Sequence, residues 1–143
     1  MTLQLILQQT PGMERTVTYE QLRELPHELQ IDDISSLFPG RSGMGIRFGP
    51  FVRQILEYQG PLGNVELHAS ADQFCKVIAW DQIESQAILV YEQQGQPLSQ
   101  SAGGPFRLLV PGTVLCGTGT LDNCVNVKHL DRVVLDSSPE TPV

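Results

Sequence analysis

Apolar and polar residues first alternate at Leu3, Leu5 and Leu7, the period of a half-buried strand. "TPGMERT" breaks the alternation and reads as a turn. Thr18 then opens "TYEQLREL" with Gln21 three positions on, a capping box that predicts a short helix to Leu25, stopped by Pro26. "HELQIDDI" alternates weakly and predicts a strand, whereas the glycine-dense "SSLFPGRSGMGIRFG" predicts a loop. Pro50 suits a first helical turn, so "PFVRQILEYQG" predicts a helix ended by Gly60, with Phe51, Val52, Ile55 and Leu56 as its apolar face.

Beyond Pro61 the texture changes to short strand-like runs: "NVELHAS", "QFCKVIAW", "AILVYEQ", "GPFRLLV" and "NVKHLDRVVL". "DQIES" reads as one helical turn and "QQGQPL" as a tight turn after Tyr91. The fold class expected is α+β, with a mixed, mainly antiparallel β-sheet and short helices. A chain of 143 residues, 41% of them hydrophobic, is the size of one domain with a real core. That domain is expected over residues 1–135, with the polar, proline-rich residues 136–143 as a flexible C-terminal tail.

Charge narrows the partners. A formal net charge of −7 argues against nucleic acid, which is held by clusters of Lys and Arg, and 6% aromatics offer no base-stacking platform. There is no apolar run long enough to span a membrane, and the N-terminus lacks the basic segment of a signal peptide. The odd cysteine count, at Cys75, Cys116 and Cys124, fits a reducing cytoplasm better than a disulfide framework.

One stretch is punctuated more heavily than a strand needs. In "SAGGPFRLLVPG" an apolar run carries Arg107 and is fenced by Gly and Pro at both ends. Gly103 and Gly104 permit a positive φ or a close backbone approach, and Pro105 can start a strand without donating to the ladder. Arg107 is expected to pair with a carboxylate on the sheet; holding a cofactor phosphate is the alternative.

The surrounding order of motifs resembles the molybdopterin-binding domain of the sulfite oxidase family. The matching residues are Ser70-Ala71-Asp72, Leu89-Val90-Tyr91, Gly95 with Pro97-Leu98, Gly103-Gly104-Pro105 with Arg107, Pro111-Gly112, and Val127-Lys128 with Leu130. Upstream, "TVTYEQLRELP" and "RFGPFVRQILEYQGP" are similar to segments flanking the family's cysteine loop. The resemblance implies the sulfite-oxidase-type molybdopterin-domain fold and molybdopterin as cofactor; the candidate cofactor-binding residues are Lys128, Arg41, Arg107, Asp72 and Phe74.

The departures fall on the chemistry. In the family a cysteine thiolate ligates molybdenum, a soft-donor role. The corresponding loop, "DDISSLFPGRSGMGIRFG", has no cysteine, leaving Ser35 or Ser36, or the remote Cys116, as substitute metal ligands. Phe74 stands where the family has tyrosine, and His129 where it has tryptophan. "TVLCGTGTLDNC" replaces the family's phosphate loop, so that Lys128 alone survives among the phosphate-binding positions. The family's pterin-contacting N-terminal segment has no counterpart in this sequence.

Other constellations are weaker. Cys116, Cys124 and His129, with Cys75 and His68 on neighbouring strands, combine soft and imidazole donors but lack a standard zinc spacing. Arg41 and Arg47 bracket the glycine-rich loop and suggest an anion nest. Asp32 and Asp33 would face opposite sides of a strand, a poor acid–base pair. The expectation is a catalytically degenerate, sulfite-oxidase-like domain that binds the pterin cofactor, another small anionic ligand or a protein partner. The alternatives are a diverged molybdenum-dependent oxidoreductase with a non-standard metal ligand, and a non-catalytic assembly subunit.

Overall fold

The computed structural model describes residues 3–10, 12–38, 40–111 and 126–136. Two sheets share the main core. The first runs in the order β2 (Met13–Thr18), β1 (Gln4–Thr10), β10 (Arg132–Asp136), β5 (Asn64–Ala69), β6 (Phe74–Ala79). Its pairings are antiparallel except β1 with β10, where Ile6 lies opposite Arg132. The second sheet is built around β7 (Ile88–Gln93). On one side lie β4 (Met44–Arg47) and β3 (Gln30–Ile31), and on the other β8 (Gln96–Pro97) and β9 (Arg107–Leu109). The helices are α1 (Tyr19–Arg23) and α2 (Phe48–Leu56). The α+β architecture with a mainly antiparallel sheet is as the hydrophobic pattern predicts.

Burial explains the element choices. Leu5, Leu7, Val65, Leu67, Val133 and Leu135 alternate inward from the first sheet and are fully buried. The first four residues of β7, Ile88 to Tyr91, read as an unbroken apolar run because both faces are covered. Leu89 and Tyr91 join the main core, while Ile88 and Val90 face a second cluster with Ile31, Ile34, Leu98 and Leu109. The capping box forms as its spacing predicts: the Gln21 amide donates to Thr18 Oγ1 (3.2 Å), and the Thr18 amide donates to Gln21 Oε1 (2.8 Å).

Several boundaries differ from expectation. "MERT" is not a turn; it forms β2, whose solvent face accepts polar residues without loss. "MGIR" is a strand inside the expected loop, and Gly45 is required there because a Cβ would run into Ile88 on β7. "HELQIDDI" supplies only the two residues of β3, preceded by a 3₁₀ turn at His27–Leu29. α1 stops at Arg23, before Leu25. α2 starts at Phe48 and ends in a left-handed Glu57 (φ 51°), short of Gly60. "NVKHLDRVVL" becomes a strand only from Arg132, after a left-handed His129 (φ 56°). Asp136, assigned by sequence to the tail, pairs with Thr10; residues 137–143 lie outside the described residues.

Candidate functional site: a basic pocket

A pocket of about 310 Å³ opens on the second-cluster face of the β7 sheet. Val90, Leu98, Leu109 and Ile34 contribute its apolar lining, and Arg41, Arg107 and Lys128 its charge. Among the described residues no Asp or Glu lines it, although the chain as a whole carries −7. Three of the nine Lys and Arg residues thus meet in one concavity.

The strand register dictates Arg107's position. It pairs with Val90 on β7, two residues before Leu109 opposite Ile88, so its side chain emerges on the face of the second cluster. It is 8% exposed. The carboxylate partner expected from the sequence is not found among the described residues. Arg107 Nη1 donates instead to the Ala102 carbonyl (3.1 Å), and the buried Nε has no partner. Burial, and then the nearby charge of Arg41, hold the guanidinium below its ordinary pKa.

Gly103 makes this arrangement possible and explains the glycine fence. It ends the 3₁₀ turn Gln100–Ala102 with φ 98°. A Cβ there would lie 3.2 Å from Arg107 Cδ and Nη1 and 3.3 Å from Lys128 Cγ, so the bare Cα lets both basic side chains pack against the turn. Gly104, joined to Pro105 by a cis peptide, has no room for a side chain against the Leu98 carbonyl. The turn is also held to the segment carrying Lys128. The His129 amide donates to the Gly103 carbonyl (2.7 Å), and His129 Nδ1 lies 2.8 Å from the Gly104 carbonyl oxygen.

The structure brings together Arg41, Arg107 and Lys128 from the sequence-derived candidates. Asp72 lines a separate cavity beside His129 and Asp131, and Phe74 lies at the exposed start of β6. Ser35 and Ser36 are exposed on a 3₁₀ turn, where Ser36 Oγ donates to the Asp33 carbonyl (3.1 Å); neither lines the basic pocket. The Ser35 amide donates to the Asp33 side chain and holds that carboxyl below its usual range. Arg47 lines a different cavity from Arg41, so the two do not form one nest. Cys116 and Cys124 lie outside the described residues. Sequence reasoning did not single out the neutral polar wall of the pocket, Ser42, Ser101 and Gln93; Gln93 Nε2 donates to Ser42 Oγ (2.9 Å).

Converging cations, a buried unpaired N–H and no carboxylate among the described lining residues fit the anionic end of a pterin cofactor. It presents no thiolate from the described residues, so a metal-ligating cysteine is not part of the fit.

No curated protein sequence matches the chain significantly. The fold is shared with the sulfane dehydrogenase SoxCD from Paracoccus pantotrophus, at a TM-score of 0.63 and 14% identity. That alignment covers 95% of this chain but 38% of the other, so this chain spans well under half of that neighbour's length. The expected sulfite-oxidase-type fold is therefore present. The sequence model for the oxidoreductase molybdopterin binding domain matches residues 5–141, and this chain belongs to that family.

Proposed function

We propose that this chain is a catalytically degenerate molybdopterin-domain protein that binds the cofactor, or a small molecule of similar anionic chemistry, through Arg41, Arg107 and Lys128. The observation that carries the reading is the buried Arg107 guanidinium with its orphaned Nε and no carboxylate partner among the described residues. Burying an unpaired charge is costly, and an anion in the pocket would offset that cost. Arg107 would give geometric hold on a phosphate oxygen, and Lys128 and Arg41 would act as further charges around it. When bound, the cofactor would supply molybdenum redox chemistry through its dithiolene sulfurs. Degeneracy is supported by the cysteine-free loop from Asp32 to Gly49. The reading includes a reducing cytoplasmic setting, supported by the odd cysteine count. Among the described residues, no helix is long and apolar enough to cross a membrane.

The test is cofactor content. The protein is purified from a host that makes the molybdenum cofactor, molybdenum is measured by elemental mass spectrometry, and released oxidised pterin is measured by fluorescence. The expected result is pterin retained by the wild type and lost at least tenfold in Lys128→Ala and Arg107→Met. Retention unchanged in both variants would remove the basic pocket from the reading. Near-stoichiometric molybdenum with measurable oxidoreductase turnover would overturn degeneracy.

A further inference from the structure

A second donor cluster lies on the outer face of the first sheet, built on different residues from the basic pocket. β5 alternates strictly, with Val65, Leu67 and Ala69 buried and Glu66 and His68 turned outward. Cys75 on β6 is the direct cross-strand partner of His68, so the ladder places a thiol beside an imidazole. His68 Nε2 lies 3.0 Å from Glu66 Oε1 and 3.7 Å from Cys75 Sγ. One ligand atom from each of the three residues falls within 4.8 Å of the other two.

We propose that Glu66, His68 and Cys75 form a divalent transition-metal site of the zinc type, with its fourth position open to water or an outside ligand. Tetrahedral zinc with ordinary bond lengths separates a thiolate sulfur from an imidazole nitrogen by about 3.6 Å, and that nitrogen from a carboxylate oxygen by about 3.3 Å. The two observed separations match within a few tenths of an ångström. The donor set of one sulfur, one nitrogen and one oxygen excludes Mg²⁺ and Ca²⁺, which take oxygen. Competing charge is turned away. Arg132, opposite His68 on β10, donates from Nη1 to Gln8 Oε1 (2.7 Å) and lies 3.7 Å from Glu14. The residues directly opposite Glu66 on both neighbouring strands are valines, Val77 and Val134, so no cation stands directly across the ladder from it. A bound cation would also hold Cys75 as the thiolate, displacing its proton to solvent.

Metal-free protein titrated with Co²⁺ tests this, since cobalt bound to a thiolate shows sulfur-to-metal charge-transfer absorption. Zn²⁺ affinity then follows from displacement of the cobalt. The expected result is one Co²⁺ per chain with that absorption in the wild type. Cys75→Ser should abolish the band, and both Cys75→Ser and His68→Gln should weaken zinc at least about 100-fold, the upper end of what outer-shell partners alone cost. Lys128→Ala should bind metal as the wild type does, keeping this site separate from the pterin reading. A wild type with no stoichiometric metal overturns the proposal, as does a charge-transfer band that survives Cys75→Ser. All three positions face outward, and thermal melts of the variants check that the fold is retained.

Discussion

Tyr19 and Tyr91 meet edge to face, 5.9 Å between ring centroids, and both phenols are committed to side-chain hydrogen-bond partners. Tyr19 Oη donates to Glu92 Oε1 (2.6 Å) and Tyr91 Oη to Gln30 Oε1 (2.8 Å). Burial, reinforced by the hydrogen bond to Glu92, pushes Tyr19 up to about 12. Burial and the Glu92 charge push Tyr91 up to about 12 as well. An unfolded chain releases these protons near pH 10. Stability held in the two phenols is therefore complete below pH 10 and is lost as pH rises from 10 to 12, because the unfolded state ionises first. Urea unfolding across that window should show a steep alkaline fall in the wild type and a shallower one in Tyr91→Phe. An identical slope in both would remove the phenol as the cause.

Between elements, Arg53 is the tie that fixes α2 against the turn after β6. Its Nε is 2.9 Å from Glu84 Oε2, its Nη1 donates to the Tyr58 and Gly60 carbonyls, and its guanidinium stands 5.9 Å from the Trp80 ring centroid. With only 17% of the side chain exposed, these are charge-assisted bonds with limited solvent screening. Arg53→Ala should cost about 2–3 kcal/mol in urea unfolding at unchanged m-value, and Arg53→Lys should recover only part because an ammonium cannot reproduce the fork. Local signals of this scale were the ones legible in the sequence. The Thr18–Gln21 box spans one turn, and the β5 alternation needs only one buried face. β2 and β4 escaped because their identity as strands comes from their neighbours: β2 is polar outside, and β4 is glycine-bearing where β7 presses close. For the site, Arg107, Lys128 and Gly103 were legible as punctuation. That Arg41 joins them while Asp72 and Phe74 do not is set by the strand order, which no local pattern encodes.

For the whole molecule, the decisive pairing is that of β10 with both β1 and β5. Val133 and Leu135 on that strand are fully buried, and its backbone closes two ladders at once. Removing residues 131–143 should abolish the cooperative unfolding transition rather than shift it, because the first sheet would split into two hairpins, each marginal alone. Circular dichroism with thermal melting decides it; a truncated chain that still melts sharply would show that the second sheet and α2 suffice as a folding unit.

A ribosome delivers this sheet out of order. The β1–β2 and β5–β6 hairpins leave the exit tunnel with a gap between them, and the strand that fills it is synthesised only after the entire second sheet. Until then two inner edges, flanked by some of the most buried leucines and valines of the protein, stand open to any extended segment. The nascent chain thus has its greatest exposure to wrong pairing late in synthesis, and slower translation between β6 and β10 would lengthen that exposure rather than help the fold.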